Sequence, residues 1–167
     1  MNLWTPTSLR AITGGSWLRR PAATDDAPIA ESLSTDTRNV KPGEAFLALR
    51  GDRFDAHDFL DSAASAGAAL LIIDRPESIP ESLLRATTGP AILRVADTRR
   101  ALGQLAAAHR KSLEGTKVIA VVGSNGKTTT TKLIDAVLKT RLRGAASPKS
   151  FNNDVGVPLT ILSARRS

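Results

Sequence analysis

The apolar residues of this chain fall into two patterns, short unbroken runs and stripes spaced by three and four. The runs are Ile29 to Leu33, Glu44 to Leu49, Ala68 to Ile73, Ala91 to Val95 and Lys117 to Val122. Each is brief and bounded by glycine, proline or polar residues, as buried strands are. The stripes predict helices. Residues 58–66 put Phe59, Leu60, Ala63, Ala64 and Ala66 on roughly one face, with Gly67 as a stop. Thr98 to Leu113 does the same with Ala101, Leu102, Leu105, Ala106 and His109, and Asp97 is placed to cap its start. A shorter helix is expected over residues 5–13, capped by Thr5 or Thr7, with Pro6 in its first turn and Gly14-Gly15 at its end. Residues 16–28 carry turn formers and charges, with room for one short strand.

Gly115 divides the chain. Up to that point the elements read as a small α+β unit. After it they read as strand, glycine-rich turn and helix, the opening of a parallel α/β domain. The boundary is placed near residues 113–117, giving domains 1–113 and 114–167. A sheet made of one strand and its helix cannot cover both faces, so the second unit is expected to be incomplete and marginal by itself.

Composition narrows the class. Of 167 residues, 41% are hydrophobic, enough for a core, but only 4% are aromatic, so Ala, Leu, Ile and Val must build it. The absence of cysteine excludes disulfides and a thiolate zinc site. No apolar run approaches the ~20 residues that span a bilayer, and the first residues lack the pattern of a signal peptide. A cytoplasmic monomer without a membrane partner is the expectation. The formal charge of +7 comes from 23 Lys+Arg against 16 Asp+Glu. These basic residues are dispersed and not interleaved with aromatics, which speaks against nucleic acid and for an anionic small molecule.

The chemistry is sharpest at Gly123-Ser124-Asn125-Gly126-Lys127-Thr128-Thr129-Thr130, between the run ending at Val122 and a helix with Leu133, Ile134, Val137 and Leu138 on its inner side. Strand, glycine turn and helix in this order suit a phosphate-binding loop. Glycines let backbone N–H groups converge on an anion, and the helix adds the positive end of its dipole. Lys127 reaches the outer phosphates, and the Thr128 hydroxyl is suited to magnesium. Thr129 either adds a phosphate contact or simply starts the helix. The spacing is shorter than the common Walker form: Val121 stands five positions before Gly126, where that form has glycine.

This loop resembles the ATP-binding loop of Mur ligases and folylpolyglutamate synthases. The stretch Ser34 to Phe59, containing Ser-Thr-Asp-Thr-Arg and Lys-Pro-Gly-Glu, is similar to the UDP-binding front domain of the Mur ligases. The Asn-Asn-x-x-Gly-x-Pro-Leu-Thr form of Asn152 to Thr160 is similar to the D-Ala-D-Ala-adding branch of that family. The diaminopimelate- or lysine-adding branch usually has a Thr-Thr-rich segment there. The resemblance implies an ATP- and Mg2+-dependent amide ligation joining D-Ala-D-Ala to UDP-N-acetylmuramoyl-tripeptide through an acyl phosphate. It also implies that this chain holds only the front of the machinery, able to bind but not to turn over.

It further implies roles for residues whose plainer readings stay open. Ser34, Asp36, Thr37 and Arg38 would face the uridine diphosphate, or form a self-bonded polar turn. His57 would touch the nucleotide, or order a loop. Asn152, Asn153 and Thr160 would hold diphosphate or sugar, or cap a helix beginning near Val157. His109, on an apolar face, reads as a core or edge histidine. Three further functions remain, a UDP-sugar binding module without catalysis, the related diaminopimelate- or lysine-adding Mur ligase, and an unrelated P-loop NTPase acting on nucleic acid.

Overall fold

A computed structural model describes residues 2–51, 54–147 and 153–164. Helix α1 (Pro6–Thr13) is capped by Thr5, whose hydroxyl accepts from the Ser8 N–H at 3.2 Å. It ends at Gly14, in the left-handed region at φ 66°, which costs glycine nothing. Five strands follow: β1 (Ser16–Arg19), β2 (Leu33–Ser34), β3 (Ala45–Leu47), β4 (Leu70–Ile73) and β5 (Ala91–Arg94). They form one sheet in the order β1-β5-β4-β3-β2, with β2 to β5 parallel and β1 antiparallel on the β5 edge. Helices α2 (Leu60–Ser65), α3 (Glu81–Arg85) and α4 (Thr98–Ser112) follow β3, β4 and β5.

Both faces of the sheet are covered, which explains why its central strands are unbroken apolar runs. Leu47, Leu70, Ile72 and Leu93 point to one face and pack with Leu9, Leu102 and Leu105. Phe46, Leu71, Ile73 and Ile92 point to the other and pack with Leu60, Ala63 and Leu83. All four residues of β4 are fully buried. Arg19 ties the β1 edge to the second layer, donating to the carbonyls of Leu83, Ala86 and Pro90.

Three expectations need adjustment. The run from Ile29 contributes only Leu33–Ser34 to the sheet, because the Ile29 N–H is taken by the Trp4 carbonyl at 3.0 Å. The helix expected from residue 58 begins as a 3-10 turn at Ala56–Phe59, and α3 was not anticipated. The largest correction concerns Lys117 to Val122, which forms no strand; Val118, Ile119 and Val122 are 58%, 57% and 87% exposed. The run pairs with neither edge strand of the sheet, β1 or β2, and a parallel strand without neighbours leaves its backbone groups unpaired. Helix α5 (Lys127–Leu138) forms on schedule but buries none of its residues, and Leu133 and Val137 are 63% and 67% exposed. Their expected inner side has nothing to pack on.

The chain then returns to the sheet. Helix α6 (Gly156–Leu162) lies on α4, with Val155, Leu159 and Leu162 packed against the first core layer. His109, on the α4 face, has its Nε2 2.8 Å from the Ala164 carbonyl, to which it donates.

Candidate functional site

Because β2 to β5 are parallel, their C-terminal ends share one edge, where open α/β sheets usually bind ligands. Ser34 closes β2 there, Arg50 follows β3, Asp74 and Arg75 follow β4, and Asp97 to Arg99 follow β5. The turn after β2 is bonded within itself. Asp36 accepts from the Arg38 N–H at 3.1 Å and from its guanidinium at 2.9 and 2.7 Å, and also from the Asn39 amide at 3.2 Å. Those bonds, led by the guanidinium, hold the Asp36 carboxyl at about 2. The Ser34 hydroxyl donates to the Asp36 carbonyl at 3.0 Å and accepts its N–H at 3.2 Å. Thr37 opens the 3-10 turn Thr37–Asn39. Arg38 is highly exposed, so this guanidinium is fixed by Asp36 and still open on its outer side.

His57 lies in the interior beneath this edge. Its ring has no exposed surface. Nδ1 lies 2.6 Å from the Asp55 carboxylate, and Nε2 accepts from the Asp74 N–H at 3.3 Å. With the proton on Nδ1, Asp74 Oδ1, only 3.2 Å from Nε2, is a buried oxygen without a donor. Asp74 Oδ2 accepts from the Thr98 N–H and hydroxyl at 3.0 and 3.2 Å. Asp55 also accepts from Arg75 at 2.7 Å. Burial pushes the Asp55 carboxyl up, but the bonds from the His57 N–H and ring and from Arg75 outweigh it and hold it at about 2. His57 thus ties the loop after β3 to the end of β4, and Asp74 ties that end to the start of α4.

That loop is a tight hairpin. Arg50 bridges Asp55, the Gly51 N–H donates to the Phe54 carbonyl at 2.8 Å, and Phe54 stacks on Phe59 with ring centroids 5.0 Å apart. From the far end of the chain, Arg99 donates to the Arg50 carbonyl at 3.1 Å and to the Asp154 carboxylate at 2.8 Å. Asn153, next to Asp154, accepts the Gly156 N–H at 2.7 Å and so caps α6. The Thr160 hydroxyl donates back to the Gly156 carbonyl at 2.9 Å. Asn152 lies outside the described residues. Of the expected substrate residues, then, the edge gathers Ser34, Asp36, Thr37, Arg38 and, through Arg99, Asn153. Thr160 turns into its own helix.

Sequence reasoning missed Arg50, Asp74, Arg75, Thr98 and Arg99 as members of this edge. Their positions immediately after strands were the available signal. An open cleft of about 380 Å³ between α1 and β1, lined by Arg10, Trp17, Arg20 and Asp25 among others, contains none of the expected residues.

The glycine loop stands apart from the sheet. Gly123 and Gly126 have φ of 139° and 78°, conformations that favour glycine. Gly126 is the N-cap of α5 and provides no side chain, so the helix dipole faces into the turn without a capping group. Lys127 folds across the turn, donating to the carbonyls of Gly123 at 2.6 Å and Ser124 at 3.0 Å. A phosphate placed at the turn would compete for that ammonium. No group of three His, Cys, Asp or Glu side chains among the described residues could hold a metal. The Thr128 hydroxyl at this turn is a hard-oxygen donor of the kind magnesium takes.

Two family models match the chain, one described as "Mur ligase family, catalytic domain" over residues 30–110 and one as "Mur ligase middle domain" over residues 121–167. A UDP-N-acetylmuramoyl-tripeptide–D-alanyl-D-alanine ligase of Bacillus subtilis is 43% identical over 81% of this chain and 28% of its own length. That of Escherichia coli is 40% identical over 79% of this chain and 27% of its own. A crystal structure of MurF from Acinetobacter baumannii superimposes with a TM-score of 0.80 at 37% identity, covering 98% of this chain and 33% of that one. MurF ligase from Thermotoga maritima, solved with ADP, gives 0.62 at 32% identity, over 80% of this chain and 29% of that one. The chain thus spans about a third or less of the relatives it matches.

Proposed function

This chain belongs to the Mur ligase family, and from that premise we propose that it carries the nucleotide-substrate domain, residues 1–113, and the first part of the ATP-binding domain, residues 114–167, of a ligase joining D-Ala-D-Ala to UDP-N-acetylmuramoyl-tripeptide. The observation that carries this reading is the pairing of a glycine turn at a helix start with a polar parallel-strand edge, in a chain about 40% identical to relatives bearing that name.

In the reaction, the tripeptide carboxylate attacks the γ-phosphorus of ATP and ADP leaves. The amine of D-Ala-D-Ala then attacks the acyl phosphate; the amine gives up a proton and inorganic phosphate departs. Gly123, Ser124, Asn125 and Gly126 offer backbone N–H groups to the phosphates, and Lys127 exchanges its loop carbonyls for phosphate oxygens. Thr128 would hold magnesium, which when bound would offset phosphoryl charge, and Thr129 would extend the phosphate contacts. Arg38, already oriented by Asp36, offers its outer N–H groups to the diphosphate, beside Ser34 and Thr37. The sugar or diphosphate is assigned to Asn152 and Asn153, of which Asn153 stands in the turn before α6. His57 orders this edge from beneath, and Thr160 bonds within the helix that follows Asn153.

The 167-residue chain itself is expected to bind the muramoyl nucleotide without turnover, since the exposed faces of residues 117–142 leave the ATPase half unsupported. Calorimetric titration with UDP-N-acetylmuramoyl-tripeptide, with UMP and short DNA as controls, tests this. Saturable binding with inert DNA supports the reading. A folded chain that ignores the muramoyl nucleotide refutes the substrate site.

A further inference from the structure

We infer that Arg99 is a positioning residue for the nucleotide-substrate site, holding the hairpin after β3 and the Asn153–Asp154 turn at a fixed separation across the strand-end edge. This rests on the proposed reading of that edge.

Arg99 lies in the first turn of α4, a turn with no acidic residue. A cation there opposes the helix dipole, so local helix chemistry does not account for it. Its partners do. One guanidinium nitrogen donates to the Arg50 carbonyl at 3.1 Å, 49 residues earlier in the chain, and another to the Asp154 carboxylate at 2.8 Å, 55 residues later. A planar fork holds two such acceptors in a fixed relative geometry, whereas an ammonium is a point charge on a flexible stem. Both members of the Arg99–Asp154 pair are about half exposed, and exposed ion pairs contribute little to stability. What the pair supplies is geometry.

The neighbouring contacts point the same way. Thr98 fastens the α4 start to Asp74 at the end of β4. On the opposite strand of the hairpin, Asp55 is fixed by His57 and Arg75. The hairpin is therefore pinned from beneath by one group and from the side by Arg99. Asn153 caps α6 one residue before Asp154, so the pull of Arg99 on Asp154 sets where Asn153 stands. One side chain thereby registers a turn of the second domain against the first.

The test uses the 167-residue chain with Arg99→Gln, Arg99→Lys, Asp154→Asn and the Arg99→Gln/Asp154→Asn pair, read by amide exchange without ligand and by calorimetric titration with UDP-N-acetylmuramoyl-tripeptide. For Arg99→Gln, exchange across residues 156–162 should quicken roughly tenfold while β3 to β5 keep their protection, and the Kd should rise roughly tenfold. Lysine should recover part of both effects. The double variant should be little worse than Arg99→Gln alone, as expected for groups acting through one contact. Faster exchange with an unchanged Kd would make Arg99 a fastener of α6 only and overturn the inference. A wild-type Kd and wild-type exchange would overturn it outright. A wild-type chain that fails to bind would instead remove the substrate reading, and the role of Arg99 in binding with it.

Discussion

Residues 70–73 and 118–122 have nearly the same character, short runs of aliphatic side chains after a glycine-containing turn. The first run is the buried centre of the sheet, hydrogen-bonded to strands on both sides and covered by helices on both faces. The second pairs with no strand among the described residues and is mostly exposed. The helices repeat the contrast. The apolar side of α4 carries Leu102 and Leu105 into the core, whereas that of α5 meets no packed surface. An apolar pattern specifies what an element would bury; it does not supply the surface to bury it against. In proteins most helix stability comes from such packing.

The contrast can be broken or sharpened by measurement. The largest effect is expected in function. Lys127→Ala, made in an active ligase carrying this segment, should lower turnover by roughly 10²–10³-fold or more, the scale of losing one charge-stabilising donor. Its melting temperature should stay put, because the Lys127 ammonium bonds only within its own loop. Retained turnover removes Lys127 from the mechanism. Next comes Leu102→Ala, which empties a fully buried site and should cost about 2–5 kcal/mol in urea unfolding. The matching change in α5, Leu133→Ala, should cost under about 0.5 kcal/mol. Equal costs would show that α5 is buried in solution.

Acid sharpens the comparison further. Asp55 is depressed to about 2 in the folded chain, so its contribution is complete above the ordinary carboxylate range, near 4. It is lost as pH falls through about 2. Stability of the front unit should fall by roughly 1–2 kcal/mol over that window, and Asp55→Asn should flatten the slope. An unchanged slope in the variant would mean that other carboxylates dominate. The smallest perturbation is native-state amide exchange. Residues 70–73 and 91–94 should exchange only on global unfolding, and residues 117–142 orders of magnitude faster. Equal protection would contradict the division.

The elements were legible where local rules sufficed. Thr5 and Gly14 bound α1, Asp97 caps α4, and the apolar runs at 44–49, 68–73 and 91–95 contain β3, β4 and β5. The glycine turn before α5 was equally legible, since Gly123, Gly126 and Lys127 lie within a few residues of one another. The strand-end edge was legible only in part. Asp36 and Arg38 are neighbours in sequence and pair as neighbours. Arg99 meets Arg50 and Asp154 across about fifty residues in each direction, and nothing local announces that meeting. His57 shows the same limit: its acidic surroundings were visible, but its complete burial between Asp55 and Asp74 depends on where β4 ends.

The sequence by itself determined which segments become strands or helices when given a partner, where they stop, and where the glycine turn before α5 falls. Those outcomes follow from side-chain period, capping and glycine dihedrals, all set within one or two turns of chain. Only the tertiary structure decided which apolar faces found a surface, which polar residues met at the parallel edge, and that α6 docks on α4 while α5 stays exposed. Those outcomes depend on sheet order and helix packing, because burial and long-range hydrogen bonds are properties of two surfaces and neither segment encodes them alone.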